Sequence, residues 1–64
     1  MKRLYKVISR YSMYSSEYQS GPYDSRSEAL DEALMIWRQV DEAHRGGWVK
    51  IICTSCVWEN GHNV

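Results

Sequence analysis

Four side chains of the types that ligate metal fall in the second half of the chain: His44, Cys53, Cys56 and His62, spaced H-x8-C-x2-C-x5-H. Two thiolates and two imidazoles suffice for a closed tetrahedral zinc site, and a C-x-x-C pair can also work as a redox dithiol. Each chemistry has a geometric demand. A redox C-x-x-C normally opens a helix, whose N-terminal dipole activates the first thiol. Here the pair follows the β-branched run "WVKII" and precedes "VWENGHNV", which is poor helix material. Within one regular strand, residues three apart face opposite sides. Only a tight turn at Thr54-Ser55 would bring the two sulfurs together, and neither Gly nor Pro is there to favour one. The ligand spacings match no standard finger or ribbon. Cys53 and Cys56 therefore read as small apolar side chains in or beside a strand. Structural zinc on the four residues is the lesser alternative, and no cofactor is expected. Nothing in the sequence orients His44 against Cys53 as a nucleophile pair. There is no Gly-rich phosphate loop, G-x-S-x-G or H-E-x-x-H either, so the chain reads as non-enzymatic.

A second constellation lies at the N-terminus. Lys2, Arg3, Lys6 and Arg10 precede any acidic residue, and all five tyrosines fall between positions 5 and 23. Basic charge interleaved with aromatics can hold single-stranded nucleic acid through phosphate contacts and base stacking. Lys2, Arg3, Lys6 and Arg10 with Tyr5 and Tyr11 form that candidate surface. Eight basic and eight acidic residues cancel over the chain, so no overall field draws it to a polyanion. A third set is apolar: Met35 projects from the charged side of a helix, and Tyr14, Tyr18, Tyr23 and Trp58 are hard to place together in so small a core. Aromatic residues and Met are enriched at protein interfaces, which makes these five the candidate docking residues for another protein or a second copy of the chain.

The elements that must position these residues follow from periodicity. "RLYKVISRYSM" alternates, with Tyr5, Val7, Tyr11 and Met13 on one face and Leu4, Lys6, Ile8 and Arg10 on the other, which predicts a strand. The chain reverses near Ser15-Ser16, "EYQSG" returns as a second strand, and Pro22 should end the pairing. Ser25 and Glu28 in "SRSE" have the spacing of a helix capping box. From there Leu30, Ala33, Leu34, Trp37, Val40 and His44 form one stripe at helical spacing, with Gly46-Gly47 as the stop. "WVKIICTSCVW" reads as a strand, broken at the cysteines so that a fourth strand can follow. Asn60-Gly61 is a type I′ turn signal, but so few residues follow it that 59–64 read as a frayed tail.

The junction "GPYDSRSEALDEAL" resembles the strand-to-helix step of the SPOR domain, a peptidoglycan-binding module. The likeness spans about 14 residues, most of it capping-box grammar. The SPOR pattern repeats its β-α-β unit, and this sequence has no second helix; it is assigned to no family. Size and the "EALDEAL…W" helix are also similar to small phage-encoded inhibitors of host enzymes. At 64 residues the chain is one domain (1–64), because a second core could not be built. Hydrophobic content of 44% and charged content of 25% are ordinary for a folded protein. No apolar run approaches the length that spans a bilayer, and the basic N-terminus lacks the apolar centre of a signal peptide. A cytoplasmic setting with no membrane partner is expected. The sequence thus predicts a single α+β domain, ββαβ(β), with one amphipathic helix on a small, mostly antiparallel sheet. Leu30, Ala33, Leu34, Trp37 and Val40 should pack on Val7, Ile8, Val49 and Ile51. The function it points to is an accessory or regulatory protein-interaction module of bacterial or phage type.

Overall fold

The N-terminal alternation becomes a strand. In the computed structural model, which describes residues 3–64, β1 runs Tyr5–Ser12 and buries Val7 and Ser9 on one side. Lys6, Ile8 and Arg10 face the other side. β2 (Tyr18–Tyr23) returns antiparallel, with Ser9 opposite Tyr18 and Val7 opposite Ser20. Pairing runs beyond Pro22 to Tyr23 opposite Tyr5, through an irregularity between Tyr5 and Val7. The expected stop at Pro22 is thus corrected: β2 is at the sheet edge, where a strand tolerates proline.

Helix α1 (Arg26–Ala43) starts where its sequence signal lies. Ser25 is extended, and its Oγ accepts a hydrogen bond from the Glu28 backbone N–H at 3.2 Å. The buried line is Ala29, Ala33 and Val40, flanked by half-buried Leu30, Ile36 and Trp37. Ala29, Ala33 and, on β1, Ser9 are all buried and small, so the helix lies close to the sheet. Two members of the expected stripe are corrected. Leu34 sits about 100° around the helix from Ala33 and is exposed. His44 is not on a helical face at all: it is the left-handed C-cap, at φ 50°, and is exposed. Because the helix stops there, Gly46-Gly47 opens the next strand instead of ending the helix.

That strand, β3 (Gly46–Ile52), pairs antiparallel with β1, placing Val7 opposite Ile51 and Ser9 opposite Val49. Gly47 is required by this approach, since a Cβ there would lie 2.4 Å from the carbonyl oxygens of Arg10 and Tyr11. After a turn at 53–55 the chain reverses into β4 (Cys56–Glu59), and β5 (His62–Asn63) pairs back on it. The sheet order is β2-β1-β3-β4-β5, antiparallel throughout. One helix on one face of this sheet gives a single α+β domain. Among the described residues no helix is long and apolar enough to cross a membrane.

The C-terminal residues are held, contrary to the frayed tail the sequence suggests. Asn60 and Gly61 both take positive φ, 49° and 91°, in the turn between β4 and β5. The Asn60 N–H donates to the Val49 carbonyl at 2.9 Å, and its side-chain Oδ1 accepts from the Val49 N–H at 2.8 Å. Asn60 thereby does for Val49 what a paired strand residue would do. The Trp37 indole lies over Gly61, an Arg26 guanidinium N–H donates to Asn63 Oδ1, and the Val64 N–H donates to the Val57 carbonyl.

Candidate functional site

Burial separates the residues proposed to dock a partner. Trp58 is corrected: it lies opposite Ile51 on the helix side of β4 and is only 3% exposed, one of the largest side chains in the core. Alternation in "CVWE" could not show this, because the face of β4 is set by its register on β3. Tyr23 packs partly against the core, and its hydroxyl donates to Ser20 Oγ at 3.2 Å. Met35 is exposed on the outward side of α1. Tyr14 and Tyr18 are 92% and 60% exposed, and the same hairpin adds exposed Tyr11 and Met13.

These four belong to one end of the molecule. Tyr11 and Tyr18 point to the helix side of the sheet, since they alternate with or oppose buried Ser9. As diagonal neighbours on paired strands they lie within reach of one another. The turn beyond them is fixed by Ser12 Oγ, hydrogen bonded to Ser15 Oγ at 2.9 Å, and by the Ser15 N–H, which donates to the Ser12 carbonyl at 3.1 Å. The Met13 N–H donates to the Arg45 carbonyl at 3.0 Å, tying the hairpin to the end of α1. Between them lies an open recess of about 400 Å³ lined by Ser12, Met13, Tyr14, His44, Arg45 and Gly46. Sequence reading missed Tyr11 and Met13 as interface residues, although both fall within the same eight-residue stretch as Tyr14 and Tyr18.

The nucleic-acid constellation is divided by the sheet. Lys6 and Arg10 lie on the face away from the helix, whereas Tyr5 packs against the core on the helix side and Tyr11 shares that side. Arg3 is exposed, and Lys2 lies outside the described residues. The aromatic residue that does join Lys6 and Arg10 is Trp48, directly opposite Arg10, with Lys50 and Ile52 following on the same face of β3. Its signal was the alternation in "WVKII", legible only once β3 is known to pair with β1. Ile8 belongs to this face too, which corrects its expected place under the helix.

The four zinc candidates are not brought together. Cys53 and Cys56 flank the β3–β4 turn, so the reversal at Thr54-Ser55 does occur without Gly or Pro. The Cys53 N–H donates to the Ser55 carbonyl at 3.0 Å, and the Cys56 thiol donates to the Trp58 carbonyl at 3.4 Å. His44 lies beyond the opposite end of β3, about 20 Å away at strand rise. His62 stands opposite Glu59 on β5. Among the described residues no group of three or more His, Cys, Asp or Glu is arranged to hold a metal ion. No protein-family model matches this chain, nor does any curated protein or solved structure.

Proposed function

We propose that this chain is a small non-enzymatic protein-interaction module, an accessory or regulatory factor that engages its partner with the end of the β1–β2 hairpin. The observation that carries this reading is the exposure of Tyr11, Met13, Tyr14 and Tyr18 together on one structurally pinned hairpin. Tyr side chains offer a large rigid apolar area with a polar tip, at low entropic cost on immobilisation. The adjoining recess gives a concave seat beside them. A cytoplasmic setting suits the two free cysteines, which a reducing compartment leaves unbonded.

The nucleic-acid reading has weaker support, since its cations and tyrosines occupy opposite faces. The test is affinity capture from lysate of the native cell, with and without nuclease, comparing the wild-type chain with Tyr14→Ser/Tyr18→Ser. A photo-crosslinking residue at position 14 reports direct contact. A discrete protein retained by the wild type and crosslinked from position 14, but lost by the Tyr14→Ser/Tyr18→Ser variant with unchanged circular dichroism, supports the assignment. Equal capture by both chains removes the hairpin from the interface, and capture abolished by nuclease alone favours nucleic acid.

A further inference from the structure

The sheet has a helix on one face only. On the other, β1 and β3 oppose one cation with one apolar residue at three successive outward pairs: Lys6 with Ile52, Ile8 with Lys50, Arg10 with Trp48. The result is an apolar zigzag interleaved with a cationic one. Lys50 Nζ lies 4.9 Å from the centre of the Trp48 ring and 3.3 Å from the Glu59 carboxylate. Arg10 reaches Glu17 at 3.9 Å, too far for a hydrogen bond, and its Nε is shielded from solvent with no acceptor among the described residues. Lys6 makes no ion pair among the described residues. This face therefore keeps spare positive charge and an unmet donor beside a half-buried tryptophan.

The outward side of α1 has the complementary character. The helix carries Glu28, Asp31, Glu32, Asp41 and Glu42 against Arg26 and Arg38. Among these charges Leu34 and Met35 are 47% and 55% exposed, and with Arg38 and Gln39 they border a shallow recess of about 350 Å³. The chain has zero net charge, yet its charge is polarised across the molecule, negative over the helix and positive over the open sheet.

We propose that the open sheet face docks the outward face of α1 of a second copy of this chain. Trp48 seats against Leu34 and Met35, and Lys6 and Arg10 approach the helix carboxylates, Glu42 among them. A sheet with apolar residues on both faces is stable with a layer on each, and here the second layer is a neighbour's helix. The spacings agree: residues four apart on a helix rise about 6 Å, and residues two apart on a strand about 6.7 Å. Arg38 has Glu17 and Glu59 at the margins of the sheet face as counterparts. Two sheet faces packed together would instead set cation against cation. Single-stranded nucleic acid fits less well. Ile8 and Ile52 offer no ring to stack on, and two carboxylates flank the face. Because the two docking faces lie on opposite sides of the domain, the contact is head-to-tail and does not close at two copies. It uses neither Tyr14 nor Tyr18, so it stands or falls apart from the hairpin assignment.

The test is sedimentation velocity of the full chain from about 10 µM to about 1 mM, at about 50 and 500 mM salt, where screening differs severalfold. The expected result is a weight-average mass that climbs past twice 7.5 kDa without a plateau and falls back at high salt. Lys6→Glu and Glu42→Lys should each weaken association by roughly tenfold or more, since each sets like charges together, with circular dichroism unchanged. Mixed together, the two variants should associate again, because every contact in an alternating chain then pairs opposite charges. A monomer throughout, a plateau at two copies, or association indifferent to both variants would each overturn the proposal. So would a monomer whose tryptophan fluorescence is quenched by oligo(dT), with the quenching lost in Trp48→Phe, which would assign the face to nucleic acid.

Discussion

Asn60→Ala is the sharpest test of how this small domain holds its C-terminal hairpin. Val49 is fully buried, and its N–H and carbonyl are both satisfied by Asn60, the first through the side-chain Oδ1 and the second through the backbone N–H. Alanine keeps the backbone bond and deletes the side-chain acceptor, leaving a buried N–H without a partner at a cost of about 1–3 kcal/mol. Alanine must also adopt φ near 49°, which adds about 1 kcal/mol or somewhat more for a residue with a Cβ and no local side-chain bond. The combined loss is about 2–4 kcal/mol, against about 3–9 kcal/mol for a domain of this length. At roughly 4–8 °C per kcal/mol, the melting temperature should fall by at least about 8 °C. Urea denaturation followed by tryptophan fluorescence measures the free energy directly. Two companion variants separate the terms. Asn60→Gly removes the acceptor but accepts the backbone angle, so it should lose only the hydrogen-bond part. Asn60→Asp keeps an oxygen in place and tolerates the angle, so it should lie nearest the wild type. An alanine variant within about 0.5 kcal/mol of wild type, the range of an ordinary surface change, would refute the claim that Asn60 stands in for a strand partner.

Gly47→Ala should destabilise by about 1–3 kcal/mol or prevent folding, because the added Cβ meets two carbonyl oxygens of β1 at 2.4 Å; chemical denaturation reads it. Trp58→Ala should cost about 3–5 kcal/mol as a core truncation, visible as lost near-ultraviolet dichroism before any binding is measured. Ser25→Ala should lose about 0.5–2 kcal/mol with its N-cap bond, and Ser25→Asp should hold near wild type in the same melt. Tyr14→Ser, by contrast, should leave the melting temperature within about 4 °C, as expected for an exposed side chain outside the core, while reducing capture of the partner.

Local grammar determined much of this protein. The helix could be placed from Ser25, Glu28 and the spacing of Ala33, Trp37 and Val40, because capping and helical period act between residues a few positions apart. The alternation of β1 and the break between β3 and β4 were legible for the same reason, and with them the α+β class. Tertiary structure decided what depends on partners distant in sequence. Leu34 and Ala33 are adjacent and both apolar, yet only Ala33 is small enough, and correctly placed, to lie beneath the close-packed helix. Trp58 entered the core because its strand takes its face from Ile51. The last residues became a strand because Val49 needed a partner that Asn60 supplies. The two candidate surfaces followed the same rule. Tyr14 and Tyr18 could be picked out from the hairpin alone. Trp48 could not be set beside Lys6 and Arg10 until β3 was paired with β1, since which side chains share a face is fixed by strand register, and register is a property of the assembled sheet.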